Sequence, residues 1–272
     1  MPRLEVAGAS LHYDSAGRGE ALVLISGLGG LASFWQAQIE AFSPFFRTIS
    51  FDHRGVGRSK AVPPYAMEQW AADIIAILDH SGIDRAHLVG HSTGSVIAQV
   101  VAASHPQRVA SVVLSGTWAE PDERFLQTFA LRRAVLTALG NEAYAVLGAI
   151  MIAPPAQPMT PGLSEPTDPR IVAARIDVLM SYYGRDRLRE IRCPALVLAA
   201  ADDVLIPAAR SRLVAEAIAG AELKIFTSGS HAFPRSMATH YNQSVLKFLA
   251  RHRQLSPVTG AAVARQRRGV RR

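Results

Sequence analysis

The chain has 272 residues, of which 49% are hydrophobic and 19% are charged, a composition typical of a globular protein with a buried core. This composition excludes disorder along the whole chain. The formal net charge of +7 arises between residues 251 and 272, which contain seven arginines and no acidic residue. The preceding residues carry 22 basic and 22 acidic side chains, so we expect neither a nucleic-acid partner nor a membrane partner.

Cysteine content and hydropathy indicate the compartment. Cys193 is the single cysteine, which excludes an intramolecular disulfide and suits a reducing environment. The first residues lack the apolar core of a secretory signal, and we expect no uncharged apolar stretch near the ~18 residues that span a bilayer. We therefore predict a cytoplasmic protein, and the pattern neither indicates nor excludes an oligomer.

The first 115 residues alternate between strand-like and helix-like patterns. Helical spacing occurs between residues 34 and 42, from 71 to 80 and from 95 to 104. Strands that are apolar on both faces and alternate with helices favour a parallel sheet wrapped by helices. The four predicted strands are residues 21–25, 48–51, 86–89 and 109–114.

The pattern becomes mainly helical after residue 116, with a proline-rich break at residues 154–161. Strands return at 195–199 and 222–226, and a final helix runs from about 241 to 251. We therefore predict an α/β core domain with a helical insertion. The predicted parts are the core at 1–116 and 190–254, the helical insertion at 117–189, and a disordered basic tail at 255–272.

The strongest motif is Gly90-His91-Ser92-Thr93-Gly94, which matches G-x-S-x-G between a predicted strand and a helix of small residues. A serine on such a tight turn is raised above the carboxyl ends of the strands. Glycines at 90 and 94 remove the clashes that side chains would cause there. We predict that Ser92 is a nucleophile and that His91 points away from it, below the sheet.

A serine hydroxyl needs a base, and the base needs an orienting acid. In this strand-turn-helix context the expected chain order is serine, acid, histidine. Asp203 follows a predicted strand and is our candidate acid, with Asp202 as the alternative that only contact with the base can decide. His231, in a small-residue loop after the last predicted strand, is our candidate base.

Acyl transfer also needs backbone N–H donors for the developing oxyanion. We expect these donors at Thr93, directly after the serine, and at Leu28 in the glycine-rich run of residues 26–30. A phosphate-binding loop is the weaker interpretation of that run, since no Lys-Ser/Thr pair follows it.

A dense polar cluster at residues 52–59 would by itself suggest a phosphate or metal site. Its spacing fits no common metal pattern, so we predict no metal and favour a structural loop held by Arg54 and Asp52.

Together these motifs resemble the α/β-hydrolase superfamily from about residue 4 to residue 251. Within the superfamily, the chain looks most like the aminoacrylate (carbamate) hydrolases of pyrimidine degradation and the related 3-oxoadipate enol-lactonases. The similarity to the aminoacrylate hydrolases lies in residues 25–30, in Phe34-Trp35-x-x-Gln38, and in residues 192–194 and 201–207. The resemblance implies a Ser92–His231–Asp203 triad, no cofactor and a helical lid over the site, formed by residues 117–189 and inserted after the sixth strand. Two departures, Ser26 for a common histidine and Ala200 for a common glycine, remove no catalytic atom.

We therefore expect a small-molecule substrate, an ester, lactone, amide or enamine-type acid, cleaved through an acyl-enzyme on Ser92. The same triad would serve a carbon–carbon bond hydrolase or a cofactor-free perhydrolase, and a ligand receptor on this fold is an alternative of another class. Three lid arginines are candidates for a substrate carboxylate, with surface solvation as the alternative: Arg132, Arg133 and Arg175. Expected substrate-binding residues are Gly27, Trp118, Phe125 and Phe129.

Overall fold

The computed structural model describes residues 3–157 and 168–253. Within these ranges nine strands form one sheet. The strands are β1 (Arg3–Val6), β2 (Ala9–Ala16), β3 (Ala21–Ile25), β4 (Arg47–Phe51), β5 (Lys60–Ala61), β6 (Ala86–His91), β7 (Val109–Ser115), β8 (Ala195–Ala200) and β9 (Glu222–Phe226). The helices are α1 (Gln36–Phe42), α2 (Met67–His80), α3 (Thr93–Ser104), α4 (Glu123–Ile152), α5 (Pro169–Met180), α6 (Ala208–Ala217), α7 (Phe233–Ser236) and α8 (Ala238–Arg251).

The sheet is mostly parallel, as the apolar strands predict. Its spatial order is β1-β2-β4-β3-β6-β7-β8-β9, with the two-residue β5 paired to β2. All neighbours from β4 through β9 run parallel, whereas β2 pairs antiparallel with β1, β4 and β5. This α/β-hydrolase architecture confirms the predicted fold class.

Side chains alternate between the two faces of the buried strands, and each face has its own core. On β3, Val23 and Ile25 join the cluster formed with α2 and α3. Leu22 and Leu24 of the same strand join the opposite cluster, which contains residues of α1 and α8. Because every residue of β3, β6, β7 and β8 is buried, their carboxyl ends are held rigidly by packing on both sides.

The helices between β7 and β8 occupy the segment predicted as a lid. This insertion follows the sixth strand if the two-residue β5 is not counted. Asp122 accepts a hydrogen bond from the Phe125 N–H at the start of α4, and Asp168 does the same for Arg170 in α5, so both helices have acidic N-caps. The predicted proline-rich break is described only to residue 157, and the predicted tail at 255–272 lies outside the described residues.

One helix, α4, passes a test of membrane-spanning length and composition, although its apolar stretch is not uncharged. In the described part of the chain this helix alone is long and apolar enough, and residues 134–152 carry a single charge, Glu142. Only 11% of this apolar window is buried, although α4 packs against α5 and contributes Phe129 to a cavity described below. Gly140, with φ of +82°, interrupts its helical geometry. The cytoplasmic location therefore stays a prediction.

Candidate active site

Ser92 lies on the tight turn between β6 and α3, with φ of +54°, a conformation that side-chain-bearing residues rarely adopt. The flanking glycines make this turn feasible. A Cβ at Gly90 would overlap the carbonyl oxygen of Gly94, and a Cβ at Gly94 would overlap that of Ile25. The turn is fixed by the Ser92 N–H, which donates to Ser115 on β7 at 2.8 Å. The serine hydroxyl is thus presented at the carboxyl edge of the sheet.

Three residues from separate loops meet at this edge. His231 Nε2 lies 2.9 Å from Ser92 Oγ, and His231 Nδ1 lies 2.7 Å from Asp203 Oδ2. A carboxylate accepts hydrogen bonds, so the imidazole proton belongs on Nδ1 and Nε2 is left to accept from the serine hydroxyl. All three side chains are buried. This is the arrangement in which histidine can take the serine proton.

The two adjacent aspartates have different partners. Asp203 Oδ1 accepts from the backbone N–H groups of Leu205 and Ile206 at 2.9 and 2.8 Å, which aims its other oxygen at His231. Asp202 instead accepts from the N–H groups of Gly229 and Ser230 at 3.1 and 2.8 Å. Asp203 therefore contacts the histidine directly, whereas Asp202 holds the loop that carries it.

The predicted oxyanion donors are the backbone N–H groups of Thr93 and Leu28. Thr93 is the first residue of α3, so its N–H has no intrahelical acceptor. Leu28 is the second residue of a turn closed by the Gly30 N–H, which donates to the Gly27 carbonyl at 3.0 Å. The turn does not use the Leu28 N–H. Gly27 lies close to the serine, since a Cβ there would come within 3.1 Å of Ser92 Cβ.

The polar cluster at residues 52–59 holds this glycine-rich turn, residues 27–30, which we call the oxyanion loop because it carries the predicted donor Leu28. Asp52 accepts from the Ala32 N–H at 2.9 Å, and the His53 N–H donates to the Gly30 carbonyl at 2.8 Å. Arg54 is paired with Asp73 of α2, not with Asp52. No group of three metal-ligating side chains occurs in the described residues. The cluster is thus a support for the oxyanion loop.

The prediction for His91 is wrong. Its ring lies 4.8 Å from that of His231, is stacked on Phe34 at 5.1 Å, and borders the cavity next to the serine. Burial lowers the pKa of His91 well below its usual range, and the nearby His231 lowers it further. The backbone twist at Ser92 turns the preceding side chain toward the histidine loop, so His91 is a neutral, buried wall of the site.

A cavity of about 510 Å³ opens onto Ser92, within the size range of small-molecule pockets. Gly27 and Phe129, two of the residues predicted to bind substrate, line it. Trp118 and Phe125 do not, which corrects their assignment to substrate binding. They are fully buried, with ring centroids 5.1 Å apart, and belong to the core cluster that also contains residues of α2 and α3. The lining is Ser26, Gly27, Leu28, Gly29, Gly30, Leu31, Ser33, Phe34, His91, Ser92, Phe129, Arg132, Ile152, Leu205, His231, Ala232 and Arg235.

The three arginines of the predicted lid lie in different places and have different contacts. Arg132 lines the cavity and is buried. Arg133 is half-exposed and pairs with Asp177 of α5 at 2.8 Å. Arg175 is buried away from the cavity lining, where its Nε donates to the Leu28 carbonyl at 3.0 Å. Arg235, which sequence reasoning missed, also lines the cavity. Its position four residues after His231 could have indicated that it lies near the site.

Comparison with known proteins bears on the whole chain. A family model described as the α/β-hydrolase fold matches residues 20–143. The RutD protein of Azorhizobium caulinodans, whose name assigns it provisionally to carbamate hydrolysis, is 34% identical over 261 residues, covering 91% of this chain and 98% of that protein. The RutD protein of Variovorax paradoxus, named in the same way, is 37% identical over 256 residues, covering 89% and 96%.

Among solved structures, the enol-lactonase from Burkholderia xenovorans is similar, with a TM-score of 0.85 and 28% identity. The match covers 92% of this chain and all of that one. These similarities confirm the resemblance that the motifs indicate. The two RutD proteins are more than 30% identical to this chain over 91% and 89% of its length, and the mostly parallel sheet is the one expected for this fold. The chain belongs to the α/β-hydrolase family of enzymes.

Proposed function

We propose that this protein is a serine hydrolase that cleaves an ester, lactone or C–N bond of a small carboxylate-bearing substrate through an acyl-enzyme on Ser92. The observation that carries the proposal is the position of His231, hydrogen-bonded to Ser92 Oγ at 2.9 Å and to Asp203 at 2.7 Å. The choice of bond is supported by relatives whose names refer to carbamate and enol-lactone hydrolysis.

The geometry supports the following steps. Ser92 Oγ attacks the substrate carbonyl carbon as His231 Nε2 takes the hydroxyl proton, and Asp203 stabilises the resulting imidazolium. The carbonyl oxygen becomes an oxyanion, for which the N–H groups of Leu28 and Thr93 are the candidate donors. When the tetrahedral intermediate collapses, the bond to the leaving oxygen or nitrogen breaks and His231 returns the proton to that atom. Water then repeats the sequence on the acyl-enzyme, releasing the acid and restoring Ser92.

Arg132 supports a substrate with a carboxylate. Its guanidinium is packed over Phe129 and Tyr144, with centroid distances of 5.3 and 5.1 Å, and its Nη2 donates to the Tyr144 hydroxyl at 3.0 Å. Among the described residues its buried Nε has no hydrogen-bond partner and its charge has no ion-pair partner. A buried cation without an acid in a cavity is costly, and a substrate carboxylate would offset that cost.

The test compares the wild type with Ser92→Ala by fluorophosphonate labelling and by turnover of short p-nitrophenyl esters. We expect the wild type to be labelled stoichiometrically and to turn over repeatedly, and the variant to do neither. A single slow turnover by the wild type would favour a ligand receptor on this fold. Labelling that persists in Ser92→Ala would overturn the assignment of the nucleophile.

A further inference from the structure

We propose that Arg175 of α5 positions the oxyanion loop from the lid side, so that a docked lid is a condition for the full catalytic rate. The inference rests on the proposed function, because the loop matters to rate only if an oxyanion forms beside Ser92. Arg175 touches no reacting atom and would act through Leu28, which makes it a positioning residue.

The contacts of Arg175 join the lid to two core loops. Nε donates to the Leu28 carbonyl at 3.0 Å, and Nη2 donates to His53 Nδ1 at 2.9 Å. The guanidinium lies over the Trp70 ring of α2 at 4.7 Å, and only 1% of the residue is exposed. One planar side chain thus fixes α5 against both the oxyanion loop and the loop that follows β4.

The position of the Leu28 carbonyl is what gives this contact an effect on the site. The Leu28 carbonyl and N–H flank the same Cα, so a rotation that displaces one peptide plane also redirects the other. The core holds the far end of the loop through the His53 N–H to Gly30 bond. At Gly29 a Cβ would meet no atom within 4 Å, so packing does not restrain the middle of the loop. Arg175 supplies a restraint there.

The electrostatics favour the same role. Burial lowers the pKa of Arg175 to about 10, so the guanidinium is still charged at neutral pH. Burial also keeps His53 neutral, which lets its Nδ1 accept from Arg175. Asp73, the acid that favours the Arg175 charge, is itself bonded to Arg54. A positive charge held behind the Leu28 peptide would favour negative charge developing on the substrate oxygen.

The experiment compares Arg175→Met and Arg175→Lys with Arg133→Met. The control removes an exposed lid ion pair, Arg133 with Asp177, and leaves Leu28 untouched. For each we would measure kcat and KM for p-nitrophenyl butyrate, the Ki of phenylboronic acid, which forms a tetrahedral adduct on serine, and the labelled fraction after prolonged fluorophosphonate treatment. The last measurement counts folded, competent sites independently of rate.

For Arg175→Met we expect kcat to fall by about tenfold to a hundredfold with KM changed less than about threefold, the range for a displaced rather than deleted oxyanion donor. The Ki of phenylboronic acid should rise by a similar factor. Arg175→Lys, which cannot reach both Leu28 and His53, should have a kcat and a Ki between those of the wild type and Arg175→Met. Arg133→Met should have the kcat and Ki of the wild type.

A loss that appears in KM alone, or a kcat for Arg175→Met equal to that of Arg133→Met, would overturn the inference. If Arg175→Met does not fold, a folded Arg175→Lys with wild-type kcat and Ki would overturn it equally. Failure of the proposed function is distinguishable, because the wild type itself would then lack Ser92-dependent turnover.

Discussion

The core and the helices inserted between β7 and β8, the segment predicted as a lid, contribute to the site in different ways. The core places Ser92, Asp203 and His231 in turns that directly follow β6, β8 and β9, and hydrogen bonds from backbone N–H groups hold these turns. The predicted lid supplies side chains from the middle of helices, Arg132 and Arg175, whose contacts depend on how those helices pack. The geometry of the three residues is therefore set at the ends of the strands, whereas the positions of the two arginines are set by helix packing.

The largest expected effect distinguishes the roles of Asp203 and Asp202. Asp203→Asn should lower kcat by about 10⁴-fold, because the amide favours the wrong tautomer of His231. Asp202→Asn should keep most of the activity and lower the melting temperature, since it only weakens the loop at Gly229 and Ser230. Steady-state kinetics and thermal unfolding of both variants would measure this. Equal losses of kcat would mean that both carboxylates serve the histidine.

The second prediction concerns the stability of the core in acid. His87 on β6 is buried, and burial lowers its pKa to about 4. Between pH 6.5 and about 4 the unfolded chain therefore binds a proton that the folded chain does not, so stability is lost as pH falls through this window. The shift corresponds to about 3 kcal/mol. Between pH 7 and pH 4, the free energy of unfolding of His87→Asn should therefore decrease by about 3 kcal/mol less than that of the wild type.

Denaturant unfolding at several pH values would measure the slope, with the exposed His240→Asn as the matched control. The control should keep the wild-type slope. If His87→Asn also keeps it, the acid sensitivity of the core lies in other groups.

The third prediction tests the lid side of the comparison. Arg132→Met should raise KM for p-nitrophenyl hemisuccinate by about tenfold to a hundredfold, the worth of a hydrogen-bonded charge pair. KM for the uncharged p-nitrophenyl butyrate should hardly change. Arg133→Met, whose ion pair lies outside the cavity lining, is the control for lid docking. Equal effects of Arg132→Met on both esters would show that Arg132 does not bind a carboxylate.

The smallest expected effect concerns Cys193, just before β8. Burial raises the pKa of its thiol to about 11, and thiolate is the reactive form. We expect iodoacetamide at pH 8 to leave the folded protein unmodified and fully active while it alkylates the urea-unfolded chain. Mass spectrometry of both samples would show this. Rapid alkylation of the folded protein would mean that this edge of the core opens readily.

Sequence patterns predicted the parts of the site that local geometry governs. The Gly90-x-Ser92-x-Gly94 motif has one feasible conformation between a strand and a helix, because bulkier residues would overlap neighbouring backbone. Apolar runs identified the central parallel strands, because strands covered on both faces must be apolar throughout. The amphipathic pattern gave the existence of lid helices, but not which of their aromatic residues would face the cavity.

What the sequence determined by itself is the fold, the hydrolase family and the tight turn at Ser92, since each is recognised from short motifs and apolar runs and from their order along the chain. Tertiary structure alone decided that Asp203 and not Asp202 reaches His231, that His91 borders the site, and that Arg132 and Arg175 serve different ends. These outcomes join residues as far apart as Leu28 and Arg175, 147 positions along the chain. At such separations no local preference acts, and only the packed fold brings the groups together.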